Sequence, residues 1–150
     1  ANGLMRQLTV EQDYKLTPLA VRAGILIVRA ERTRGSKRFE LWGLEAKSGQ
    51  RRWQYVLQAL DPVGGSISGG EWAARLTPRG LSIVQVLPDP DRLIVETLDP
   101  QTGVSAGQAT TSLDSDAFWG ITWADNQAWL NISNRLYVVN LATGAVGYIW

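Results

Sequence analysis

Two aspartates, Asp114 and Asp116, stand two residues apart in the run "SLDSDAFW" at 112–119, and a third, Asp61, opens the Gly/Ser-rich stretch "DPVGGSISGG" at 61–70. The 150 residues hold no histidine and no cysteine, so carboxylates are the natural acid–base groups. A hydrolase or lyase built on them needs a cleft in which one carboxyl titrates well above its ordinary value. Glycosidase-type pairs come from distant segments held at a set separation. Two aspartates within one turn also suit a plainer task, capping exposed amides. Asp89 and Asp91, in "LPDPDRL", are the best calcium candidates, but a calcium site needs several oxygens converging on one point and these flank prolines in a hairpin tip. No metal and no cofactor is expected. A catalytic role is left open but disfavoured.

The densest charge lies in "RAERTRGSKR" at 29–38, with Arg29, Arg32, Arg34, Lys37 and Arg38. As a hairpin tip it suits phosphate or an acidic partner. Nucleic-acid binding interleaves aromatics with the cations, and this loop has none before Phe39, so nucleic acid is not expected. "NIS" at 131–133 is a formal glycosylation sequon, in a strand setting that argues against its use. Of the seven tryptophans, most fall in strand-like runs and read as core. Trp119, beside the Asp-rich turn, is the one placed to touch a ligand.

These groups must be positioned by a chain of one domain's length. It is 45% hydrophobic and 19% charged, with a net charge of +1. Residues 1–60 carry eleven basic and five acidic side chains, whereas 61–150 carry four and nine, so either two faces with different partners or only one basic hairpin tip is expected. The absence of cysteine excludes disulfides and zinc clusters. No apolar run approaches the ~20 residues that span a bilayer, so no membrane insertion is expected. The first residue is Ala1, and the last, Trp150, falls inside a strand-like run; both suggest a segment of something longer.

One hairpin is written three times. Gly49, Gly103 and Gly144 are each preceded by Ser48, Thr102 or Thr143, and four residues earlier by Glu45, Asp99 or Asn140. Apolar residues stand five and eight positions before each glycine: Leu44, Leu98 and Val139, then Leu41, Val95 and Leu136. A glycine that accepts positive φ, flanked by side chains that bond free amides, is the chemistry of a tight turn. The preceding residues alternate with period two, Phe39, Leu41 and Gly43 against Glu40, Trp42 and Leu44, as strands do. Two further strand-like runs precede each copy. Four strands every 40–50 residues predict a β-propeller-like array of about three four-stranded antiparallel blades, near 15–60, 71–113 and 117–150 of a single domain 1–150. A β-sandwich or an open barrel of consecutive hairpins is the alternative. "LMRQLTVE" at 4–11 alternates weakly and suits an outer strand of a neighbouring blade.

"GLEAKSGQRRW" resembles the tryptophan-docking repeat of quinoprotein-like (PQQ-type) propellers, roughly Ala-x-Asp-x-x-Thr-Gly-Lys-x-x-Trp, through Gly43, Glu45, Ser48, Gly49, Gln50 and Trp53. The second copy keeps Asp99, Thr102 and Gly103 but has Gly107 at the tryptophan position; the third keeps Thr143 and Gly144, with Asn140 and Tyr148. The resemblance implies that Trp53 and Tyr148 pack between adjacent blades, and it tilts the location toward the extracytoplasmic side. Its enzymes use a calcium-assisted quinone, some with adjacent cysteines that are absent here. No Gly-His or Trp-Asp dipeptide supports a WD-type propeller. "SLDSDAFW" also resembles the Asp-box of sialidase propellers through Ser112, Asp114 and Trp119. Asp116 replaces its glycine, and the run falls between units, so this likeness is read as coincidence.

Propellers close with four to eight blades, so three blades predict either excision from a longer ring or closure with a second copy. The longer, charged loops share one face and the glycine turns the other. Binding lives on loops held by a rigid scaffold. The expected function is therefore a non-catalytic module that binds a protein or extended polymer. The candidate contacts are Arg32, Arg34, Lys37, Arg38, Asp61, Asp114, Asp116 and Trp119, and self-association or a purely structural role is the other reading.

Overall fold

Strict apolar alternation makes a strand with one buried face, whereas a continuous apolar run suits a strand covered on both. Both patterns occur here, and each takes the place its pattern requires. In the computed structural model, which describes residues 13–64 and 69–148, the chain forms strands joined by turns. "LMRQLTVE", Trp150 and part of the 61–70 loop lie outside the described residues.

The first sheet is a meander of β1 (Tyr14–Arg22), β2 (Ile25–Arg32), β3 (Phe39–Glu45) and β4 (Arg51–Val56). The second holds β5 (Asp61–Pro62), β6 (Glu71–Thr77), β7 (Gly80–Leu87), β8 (Arg92–Leu98) and β9 (Ser105–Ser112). The third is β10 (Phe118–Ala124), β11 (Gln127–Ile132), β12 (Arg135–Asn140) and β13 (Val146–Tyr148). The fold is all-β and propeller-like, three antiparallel sheets in succession. The second sheet departs from the expected four strands. Its link doubles back, so that Val63 N–H donates to Trp72 O at 2.8 Å and β5 pairs parallel with β6.

The sheets face one another through two apolar clusters. Ile27, Leu41 and Trp53 of the first sheet meet Trp72, Leu81 and Ile83 of the second. On the other side of the second sheet, Val84, Val86 and Val95 meet Phe118, Leu130 and Val139 of the third. Strand β7 is buried along its whole length because it has a sheet on either side; "GLSIVQVL" is accordingly almost unbroken apolar sequence. The outward face of the first sheet carries Val28, Ala30, Trp42 and Leu44, packed with Tyr14, Leu16 and Leu26. There the Tyr14 and Trp42 rings lie 5.0 Å apart, and the Arg51 guanidinium sits 4.5 Å over Trp42.

Candidate functional site

The three glycine turns are one structure repeated. Gly49, Gly103 and Gly144 have φ of 74°, 70° and 72°, and their amides donate to Glu45, Asp99 and Asn140 carbonyls at 2.7 Å. The hydroxyls of Ser48, Thr102 and Thr143 accept from Gln50, Val104 and Ala145 amides at 3.2, 3.3 and 3.2 Å. Asp99 and Asn140 accept from Gln101 and Ala142 amides. Glu45, one methylene longer, instead takes Ser48 Oγ–H and, at 2.7 Å, Arg52.

Trp53 lies between the first and second sheets. Its Nε1–H donates to Pro100 O at 2.8 Å, and its ring covers Gly43 and Gly103 so closely that a Cβ added to either would stand 2.1 or 2.7 Å from it. Tyr148 takes no such place. It is 65% exposed, beside Tyr137 at 5.9 Å and beneath the Arg135 guanidinium at 5.4 Å. The reason is register: β3–β4 and β8–β9 each slip by a bulge after the turn, whereas β12–β13 pairs Val139 with Val146, Val138 with Gly147 and Tyr137 with Tyr148 in unbroken sequence. A one-residue slip sends every following side chain to the opposite face.

The β2–β3, β7–β8 and β11–β12 turns and the links between sheets share the opposite face, and direct bonds tie them together. Lys37 Nζ donates to Asp61 Oδ1, Leu113 N–H to Asp91 O at 2.9 Å, and Ser133 N–H to Ala117 O at 2.6 Å. Arg135 reaches Asp114 Oδ2 at 2.5 Å.

This face does not present its charges as the sequence alone suggests. Asp61 is buried and pairs with the exposed Lys37, and Arg38 Nε stands 3.2 Å from the buried Glu40 Oε2, an ion pair at an angle that makes no hydrogen bond. Arg34 lies 3.8 Å from Asp13, both well exposed. Thus Lys37 and Arg38 hold the scaffold, while Arg32 and Arg34 remain toward the tip. Trp119, at the bulge that opens β10, is 62% exposed.

The carboxylates do not assemble as an acid–base pair. Asp114 is exposed and paired with Arg135; Asp61 is buried and paired with Lys37. Asp89 and Asp91 sit in the β7–β8 turn, whose Pro88 and Pro90 carbonyls accept from Arg92. Among the described residues no cluster of three acidic side chains is placed to hold a metal ion. The carboxyl that titrates high is Glu71, at the start of β6, which sequence reasoning missed. Burial pushes it up, an amide bond from Gly64 at 3.0 Å opposes this, and the charges of Asp61 and Asp116 push it up further. Glu71 is 1% exposed, so no substrate reaches it. No signal marks it in the sequence, because one glutamate at the head of an apolar strand reads as a solvated end.

No protein-family model and no curated protein matches the sequence. Among solved structures, the crystal structure of BamB from Moraxella catarrhalis is similar, at 19% sequence identity and a TM-score of 0.44, with 89% of this chain and 45% of that chain covered. The chain therefore spans less than half the length of that structure.

Proposed function

We propose that this chain is a non-catalytic scaffold that binds a protein through the face opposite the glycine turns. Three sheets are fewer than the four to eight that close a ring, so it acts beside further blades, from a longer parent or a second copy. The observation that carries the reading is Trp119, a large aromatic left mostly in solvent on a face otherwise tied down by internal bonds. Tryptophan and arginine dominate the energetics of protein interfaces, and Trp119 follows Asp114 and Asp116 in one run of the chain, with Arg32 and Arg34 toward the tip of the first sheet. An acid–base enzyme is a poorer fit, since Glu71 is sealed and Asp114 and Asp61 are each paired with a cation.

A photo-crosslinking phenylalanine in place of Trp119 is expected to give a discrete protein adduct in native extract. The same group at Val104, equally exposed beside a glycine turn, is expected to give none. Trp119→Ala should weaken capture of that partner at least tenfold and leave stability within about 0.5 kcal/mol. Adducts of equal yield at both positions, or none at 119, would sink the proposal.

A further inference from the structure

A sheet that ends in an open strand presents a row of unpaired amides and carbonyls, and folded proteins guard such edges with proline, bulges, charge or shortness. Most edges of this fold are guarded in one of those ways. β1 carries Pro18 with a bulge beside it, and β4 opens on Arg51 and Arg52. β5 is two residues long and includes Pro62, and β13 is three residues long. β10 is bulged at Trp119 and less than half exposed. Among the described residues β9 is the exception. Its sequence, "SAGQATTS", has eight residues, six of them exposed, with no charge and no proline. Past a bulge at Ala106 its pairing with β8 is unbroken over 107–112, and no described strand pairs with its outer side.

The register tells which backbone groups are open. Leu113 N–H donates to Asp91 O at 2.9 Å, toward β8. Successive residues of an antiparallel strand turn their backbone groups to alternate sides. Thr111, Ala109 and Gly107 therefore bond β8, whereas Ser112, Thr110 and Gln108 turn their amides and carbonyls outward. We infer that this edge takes an extended segment of a protein partner as an added strand, held by the outward backbone of Gln108, Thr110 and Ser112. The side chains describe the segment. β9 offers no charge for a charged partner to answer, so the paired stretch is uncharged. Beside the edge, a groove lined by Thr111, Val146 and Tyr148 opens toward the third sheet, and the Tyr148 ring is 65% exposed. Every second side chain of the added strand meets that groove, which suits the β-branched residues that strands favour. Trp119 takes no part, so this site stands or falls separately from the face proposed above.

Amide hydrogen exchange of the ¹⁵N-labelled chain is followed with and without the blocked peptide acetyl-Lys-Thr-Val-Thr-Val-Thr-Lys-amide, whose lysines flank the paired stretch, and light scattering gives the mass. The peptide is expected to slow exchange at Gln108, Thr110 and Ser112 by about tenfold or more, and to leave Gly107, Ala109 and Thr111, already bonded to β8, unchanged. Thr110→Pro deletes an outward amide without touching the β8 ladder, the one kind of strand position that tolerates proline. In that variant, protection of Gln108 and Ser112 should need at least about tenfold more peptide. If Thr110→Pro does not fold, Ser112→Pro makes the same change at the strand end, read at Gln108 and Thr110. Three results overturn the proposal: no added protection at the three outward amides, protection unchanged in the proline variant, or slow exchange without peptide in a particle of twice the monomer mass, which gives the edge to a second copy.

Discussion

At the residue scale the repeated glycine turn and the ring that rests on it are a single unit. Gly103 must be glycine twice over, for its φ of 70° and for the Trp53 ring carbons 2.7 Å from where a Cβ would be. Trp53→Ala removes the ring and orphans Pro100 O, and is expected to cost about 3–5 kcal/mol in denaturant unfolding. Gly103→Ala should cost at least the ~1–2 kcal/mol of left-handed backbone strain, and more for the displaced ring. A Gly103→Ala chain as stable as the original would show that the ring does not press on that glycine. Much of this was legible, because turn glycine, hydroxyl and acid recur at fixed spacing and each does local work. Tyr148 was not legible in the same way. Spacing counts residues, whereas the bulge that turns Trp53 inward is a property of pairing, which nothing in "ATGAVGY" announces.

At the scale of elements, the alternation of β2 and β3 and the continuous apolar run of β7 could be read directly, since period-two burial is a local property. The polar ties between sheets could not. Gln85 sits in the middle of β7, fully buried, and its Oε1 accepts from the Gln58 and Ala59 amides at 2.8 and 3.0 Å. It thereby holds the link that leaves the first sheet against the second. Nearby, the Tyr55 hydroxyl donates to Glu96, which also takes Gln108 Nε2–H at 3.3 Å; burial and that carboxylate together push the Tyr55 pKa far up. A glutamine among valines and isoleucines looks like a lapse in an apolar pattern until its partners, 26 and 27 residues away, are known. Gln85→Leu keeps the volume and leaves two amides unanswered. It should destabilise by roughly 2–4 kcal/mol, with the loss of hydrogen-exchange protection centred on Gln58 and Ala59. Protection lost evenly across all three sheets would mean that Gln85 does not act through that link.

At the scale of the whole molecule, one ion pair, Lys37 with Asp61, joins the basic segment to the acidic one, and the buried carboxyls set how stability follows pH. Two buried carboxyls act with opposite sign. Burial alone would raise Glu40, but hydrogen bonds from Tyr14 and Trp42 and the Arg38 guanidinium hold it below its ordinary value. Its contribution is therefore present above the unfolded value, about 4.3, and is lost as pH falls through the folded one. Glu71 is raised by burial, so it binds its proton more tightly when folded. Its contribution is full below about 4.3 and fades as pH rises through its folded value. Glu71→Gln stays neutral and can still accept the Gly64 amide, so its melting midpoint relative to the original chain should climb as pH rises above about 4.3 and level off once the folded carboxyl of the original chain is ionised. Glu40→Gln should do the reverse, losing most at neutral pH, where the half-buried Arg38 guanidinium is left beside a neutral amide, and least in acid. A Glu71→Gln difference flat with pH would mean that the carboxyl ionises in the fold as readily as in the unfolded chain, the Gly64 amide alone balancing burial and its two acidic neighbours.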